Sequence, residues 1–192
     1  MPDAAPILIA DSLTCDRGGR RILSEVSFRL AAGEAILVKG TNGAGKSTLL
    51  RLLAGLLRLD DGRIVNPFEI AFLGHDNGLK SDRTLGSELA FWARLDRNSG
   101  RVEAALEWFD LTALADFSVQ ILSSGQKRRA ALARTWASGA RLWLLDEPSV
   151  GLDAANVERL AGAMREHRAG GGLVIATSHV PIGLDDAAEL LL

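Results

Sequence analysis

Apolar residues along this chain change their spacing several times, and each change marks a predicted element. Val26, Phe28 and Leu30 alternate with Ser27 and Arg29, the period-two pattern of a half-buried strand. Ala31-Ala32-Gly33-Glu34 turns the chain into the continuous apolar run Ala35-Ile36-Leu37-Val38, and a glycine-rich stretch follows at once. From Lys46 to Leu57, leucines at 49, 50, 53, 56 and 57 fall at helical spacing, and Asp60-Asp61-Gly62 closes that element with turn residues. Ile70 to Gly74 and Leu142 to Leu145 are short apolar runs ending at polar residues, the kind that a parallel sheet buries on both faces. Between them, over about 76–139, the pattern is helical, with segments Ser87 to Leu95, Val102 to Phe109 and Gly125 to Ala137. After Asp153, Val157, Leu160, Ala161 and Met164 mark one helix face. Gly170-Gly171-Gly172 stops that helix before the strand Leu173-Val174-Ile175-Ala176. Strands alternating with helices predict an α/β sheet, and the helical stretch reads as an insertion into it.

A length of 192 residues at 47% apolar composition suits one core, so a single domain over 1–192 is expected. The net charge of -2 gives no electrostatic reason to expect a nucleic-acid partner, which would be gripped by clustered Lys and Arg. Cys15 is the only cysteine and forms no internal disulfide, which fits a reducing compartment and makes the cytoplasm the expected location. Met1-Pro2-Asp3-Ala4-Ala5-Pro6 carries an acid and two prolines where an export signal would carry basic residues and then an apolar run. The leucine-rich run from Leu49 to Leu59 is broken by Arg51 and Arg58 and falls short of the roughly 20 apolar residues that span a bilayer. If the protein works at a membrane, other chains must hold it there.

Chemistry concentrates after the strand at 35–38. Gly40-Thr41-Asn42-Gly43-Ala44-Gly45-Lys46-Ser47, with Thr48 following, matches the spacing G-x-x-x-x-G-K-[ST] in the strand-to-helix setting that such a loop requires. Its glycines let successive N–H groups turn inward around phosphate oxygens at a helix N-terminus. Lys46 is the candidate partner of the β and γ phosphates of ATP, and Ser47 a candidate Mg²⁺ ligand. Asp146, at a carboxyl end of the sheet, is a second candidate for Mg²⁺, and its neighbour Glu147 the candidate to orient or deprotonate an attacking water. Taken without the glycine loop, that acidic pair would read as a solvated strand end.

Leu122-Ser123-Ser124-Gly125-Gln126 resembles the Leu-Ser-Gly-Gly-Gln signature of the ABC transporter ATPases, and it precedes Leu144-Leu145-Asp146-Glu147-Pro148 by about the distance that family keeps. Gly151-Leu152-Asp153 looks like the family's D-loop, and His179 like its switch histidine. The resemblance spans nearly the whole chain. It implies a P-loop NTPase fold of ABC type, with a RecA-like parallel sheet core, an N-terminal antiparallel β-subdomain and an inserted α-helical subdomain over about 76–139. It further implies a head-to-tail homodimer, in which Ser123, Gly125 and Gln126 of one copy close on the γ-phosphate held by Lys46 of the other, with Asp153 and His179 completing the site. Read alone, Ser123-Ser124-Gly125 is simply a good helix cap.

Two positions depart from the family pattern. Where the family usually places a glutamine that contacts Mg²⁺ and water, this chain has His75, the candidate for that catalytic and Mg²⁺ position, where an imidazole in place of the amide is expected to make ATP turnover pH-sensitive. The alternative is a histidine that merely fills a strand end. Where the family often stacks an aromatic ring on adenine, this tyrosine-free chain has Arg17, either a stacking guanidinium or a solvated loop residue.

One branch shares these details: the ATPases of the cytochrome c maturation system. Leu73-Gly74-His75, Ser124 at the second signature glycine, Gly171-Gly172-Leu173-Val174 and Thr177-Ser178-His179-Val180-Pro181 all resemble it. That resemblance implies integral membrane subunits as partners, a place on the cytoplasmic face of the inner membrane, and a task in haem delivery or release of a haem-loaded chaperone. His167 reads as an exposed residue on a polar helix face, and the four tryptophans as packing. An ATPase for another transported substrate, a nucleic-acid-remodelling ABC ATPase and a P-loop kinase are the rival readings. The last leaves the signature unexplained.

Overall fold

The computed structural model describes residues 6–192, and the reading of Met1 to Ala5 lies outside the described residues. Strands β1 (Leu8–Arg17), β2 (Arg20–Leu30) and β4 (Asp61–Val65) form an antiparallel sheet in the order β2-β1-β4. Strands β3 (Ala35–Lys39), β5 (Ile70–Leu73), β6 (Leu142–Asp146), β7 (Leu173–Thr177) and β8 (Ala188–Leu191) form a second sheet, all parallel, in the order β5-β6-β7-β3-β8. Helix α1 (Lys46–Leu53) follows β3, helices α2 (Leu85–Leu95), α3 (Val102–Trp108) and α4 (Ser124–Ala137) lie between β5 and β6, and α5 (Ala154–Ala169) joins β6 to β7.

Alternation along the central strands divides the interior in two. Leu142, Leu144, Leu173 and Ile175 face a core shared with α1 and the antiparallel sheet, including Leu13, Leu23, Leu49 and Leu53. Trp143, Leu145, Val174 and Ala176 face the opposite way, onto the core of α2 to α5. Side chains at i and i+1 of a strand point to opposite faces, so a continuous apolar run is what a sheet covered on both sides demands.

Four local features depart from the sequence pattern. The leucine periodicity outruns helix α1, because Gly55 takes φ +70° and closes a Schellman motif in which the N–H groups of Leu56 and Gly55 bond the Arg51 and Leu52 carbonyls. Leu56 is left 61% exposed. Asp61 and Gly62 begin β4 instead of a turn: a Cβ at Gly62 would strike the carbonyls of Asp11 and Ser12, so glycine there permits close strand approach. Strand β8 had no counterpart in the sequence pattern, being short and mostly exposed along a sheet edge.

The fourth concerns His167. It is not an exposed residue: its ring stacks on Trp143 with centroids 4.0 Å apart, and Nε2 stands 3.1 Å from the Arg141 carbonyl and 3.3 Å from that of Leu173. Both partners are acceptors, so Nε2 carries a proton. Burial is the main force that holds its pKa down, to about 4. Among the described residues no helix is long and apolar enough to cross a membrane.

Candidate active site

The loops leaving the carboxyl ends of β3, β6 and β7 converge, because β7 lies between the other two. Ile22, Asn42, Gly43, Gly45, Lys46, Ser47, Thr48, Asp146, Glu147 and His179 line the resulting cleft. Gly45 caps α1 in the left-handed region, at φ +102°, and a Cβ there would come within 2.8 Å of Leu23 and 3.0 Å of Ile22. Only glycine lets the loop press against β2 and still deliver its N–H groups to a ligand. Lys46 is 8% exposed, and its ammonium donates to the carbonyls of Gly40 (2.7 Å) and Thr41 (3.1 Å), spanning the loop. Gly40, Thr41 and Ala44 thus shape the loop from behind, with Ala44 N–H bonded back to the Thr41 carbonyl.

The acidic pair is held by two residues that sequence reasoning missed. Thr177, fully buried at the end of β7, donates its hydroxyl to Asp146 Oδ1 (3.0 Å) and accepts the Glu147 N–H (2.9 Å). Arg128, 4% exposed on α4, donates to the carbonyls of Asp146 and Glu147, each at 2.7 Å. Between these anchors Glu147 adopts φ +48°, a left-handed conformation that costs a non-glycine residue about 1–3 kcal/mol. Burial lowers the pKa of the Arg128 guanidinium, and the charges of Asp146 and Glu147 counteract it.

Asp146 Oδ2 and Glu147 Oε1 are buried and, among the described residues, without hydrogen-bond partners. His179 Nε2 lies 3.4 Å from Glu147 Oε1, near it but not bonded to it. Buried carboxylate oxygens without donors are costly unless a cation or water meets them. No group of three or more His, Cys, Asp or Glu side chains among the described residues forms a metal cage. The unpartnered Asp146 oxygen beside the glycine loop fits Mg²⁺, which commonly takes one or two protein ligands and completes its shell with phosphate and water.

The remaining candidates stand apart from the cleft. Ser123 caps α4 in a reciprocal capping box: its hydroxyl accepts the Gln126 N–H (3.2 Å), and Gln126 Oε1 accepts the Ser123 N–H (2.8 Å). The Ser123 hydroxyl proton stays free to donate outward. A Cβ on Gly125 would meet the Gly151 carbonyl at 2.8 Å, so the signature turn packs directly on the loop before α5. Asp153 caps α5, accepting from the Asn156 backbone and side chain. His75 is exposed beyond β5 and does not line the cleft. Arg17 is bound into the antiparallel sheet through the carbonyls of Asp16 and Arg58, with Asp60 at 3.7 Å.

A parallel sheet with a glycine loop, an acidic strand end and a capped signature helix defines a P-loop ATPase of ABC type, and the ABC transporter family model matches residues 23–150. The chain belongs to the ABC transporter family, as an ATP-binding subunit. Within it the similarity points to one branch. The chain is 50% identical to the cytochrome c biogenesis ATP-binding export protein CcmA of Gluconobacter oxydans, over 96% of its own length and 87% of that protein's. It is 46% identical to the CcmA of Sphingopyxis alaskensis over 97% of its length and 96% of that protein's. A solved ATP-binding subunit of an ABC transporter superposes with a TM-score of 0.87, covering 97% of this chain and 85% of that one. At 23% identity, that likeness speaks for the fold alone.

Proposed function

We propose that two copies of this chain close head to tail on two ATP molecules and hydrolyse them to drive a membrane complex of cytochrome c maturation. In each composite site the glycine loop and Lys46 of one copy hold the triphosphate. Ser123 and Gly125 of the other copy supply a hydroxyl and a helix N-terminal N–H to the γ-phosphate. Glu147 accepts a proton from, or orients, the attacking water, and His179 steadies the same region from the loop after β7. Ser47 and Asp146 are the residues that would hold Mg²⁺, which offsets phosphate charge during transfer. His75 and Arg17 take no part in this reading as they stand.

The observation that carries the proposal is the unpartnered pair of buried oxygens, Asp146 Oδ2 and Glu147 Oε1, beside the Lys46 loop. Supporting it, the Lys46 loop, Asp146, Glu147 and His179 line one open cleft of about 290 Å³. The cytochrome c assignment rests on the branch similarity, with integral membrane subunits as partners and haem delivery or chaperone release as the work done. The test is Glu147→Gln: ATP binding retained, turnover lost, and an ATP-dependent dimer trapped in sedimentation. Hydrolysis by this variant at the parental rate would remove Glu147 from its role. A deletion strain carrying the intact or Glu147→Gln gene tests the biological half. Covalent haem on c-type cytochromes should return only with the intact gene.

A further inference from the structure

Arg128 makes more contacts than a helix residue needs, and they reach two segments outside its own helix. Its Nη2 donates to the carbonyls of Asp146 and Glu147, and its Nε to that of Pro148 at 3.2 Å. Its Nη1 donates to the Gly74 carbonyl at 2.9 Å and to Asn77 Oδ1 at 3.2 Å, on either side of His75. The residue sits on α4, two positions beyond Gln126 of the capping box. One buried guanidinium therefore joins the signature helix, the turn that carries Glu147, and the loop after β5. A planar fork with five donors in fixed directions suits this task, since its donors cannot turn independently of one another.

We propose that Arg128 is a positioning residue through which the signature helix and the loop at 74–77 set the carboxylate of Glu147. Glu147 holds a left-handed backbone at φ +48°; the Thr177 hydroxyl accepts its N–H, and its carbonyl accepts from Arg128 at 2.7 Å and from the Val150 N–H at 3.2 Å. Any displacement of α4 or of loop 74–77 moves the guanidinium, and with it the carbonyl that fixes where the Glu147 side chain points. Arg128 does not line the phosphate cleft, and its hydrogen bonds go to residues 74–77 and 146–148, while the Lys46 ammonium bonds the Gly40 and Thr41 carbonyls. Its influence falls on the hydrolytic step and spares ATP binding. This inference rests on the proposed role of Glu147.

The test compares Arg128→Lys, Asn77→Ala and Glu147→Gln in the full chain. Lysine keeps the charge and much of the length but loses the fixed fork. Asn77→Ala leaves the buried guanidinium in place and withdraws its one side-chain acceptor, so it probes the linkage where the core is undisturbed. Steady-state kinetics should show kcat reduced roughly 10- to 100-fold for Arg128→Lys, and a few-fold for Asn77→Ala, with KM for ATP nearly unchanged in both. Combining Arg128→Lys with Glu147→Gln should leave the ATP-trapped dimer intact, showing that the helix still presents its signature. Parental kcat in both single variants would overturn the inference, as would losses confined to KM. If Arg128→Lys fails to fold, the kcat of Asn77→Ala decides. Should Glu147→Gln itself hydrolyse ATP normally, the role of Glu147 fails first, and a kcat loss in Arg128→Lys would then act through some other group.

Discussion

Replacing Thr177 by valine removes one hydroxyl and changes little else in shape, which makes it a sharp probe of how the acidic pair is held. The hydroxyl bonds Asp146 Oδ1 at 3.0 Å and the Glu147 N–H at 2.9 Å, and the residue is fully buried. Valine leaves a carboxylate oxygen and a backbone N–H without partners. Hydrogen bonds to charged groups contribute about 1.5–3 kcal/mol, and an orphaned buried N–H costs about 1–3 kcal/mol, so the expected destabilisation is roughly 2.5–6 kcal/mol. Asp146 Oδ2 already lacks a partner, so the local structure has no spare donor with which to compensate. Releasing the Glu147 N–H also frees its left-handed backbone to relax, and kcat should fall by about tenfold or more. Thr177→Ser retains the hydroxyl and should recover most of both losses. Urea unfolding and steady-state ATPase assays on the two variants measure the effects. A valine protein within about 0.5 kcal/mol of the parent, inside the usual range for inert substitutions, would show that Thr177 holds nothing.

Acid sensitivity and the signature turn offer two further checks. His167 is kept neutral in the fold, with its pKa lowered to about 4 from an unfolded value near 6.5. Its stabilising effect is therefore complete above about pH 6.5 and is lost as pH falls toward 4, because only the unfolded chain gains the proton, up to roughly 3 kcal/mol. His167→Phe keeps a ring against Trp143, and its urea midpoint should fall less between pH 7 and pH 4.5 than the parent's. Parallel curves would refute the titration. Gly125→Ala drives a Cβ to within 2.8 Å of the Gly151 carbonyl, so ATPase activity should drop about tenfold while ATP affinity of the isolated chain holds, the cleft being untouched. Affinity that falls in step with rate would contradict the separation of signature and cleft.

The strands of the central sheet were legible as apolar runs because both their faces are covered, and the glycine loop because its spacing is imposed by phosphate chemistry. Arg128 was hidden among Lys127, Arg128 and Arg129, where composition alone suggests a solvated basic face. A signal was nonetheless present: Arg128, Ala131, Leu132 and Thr135 fall at i, i+3, i+4 and i+7, the buried side of α4. Glu88 repeats the lesson on α2, fully buried beside Leu85 and Leu89, its carboxylate accepting the Trp92 indole N–H at 2.8 Å. No local pattern foretold His167, because the carbonyls that bind it belong to Arg141 and Leu173 and the ring it covers belongs to Trp143 on β6. Gly62 misled because glycine marks both tight turns and close strand approach, and only the neighbouring strand separates the two.

Mixing two inactive variants tests most directly whether each site is built from two chains. Lys46→Ala disables the phosphate loop, and Ser123→Asp keeps a good helix cap while presenting a negative charge to the γ-phosphate. In a mixed head-to-tail dimer both defects fall in one site and leave the other whole. Equal mixing should therefore restore about a quarter of parental ATPase activity, half the dimers being mixed with one intact site of two. Activity no greater than the sum of the separate variants would contradict a shared site.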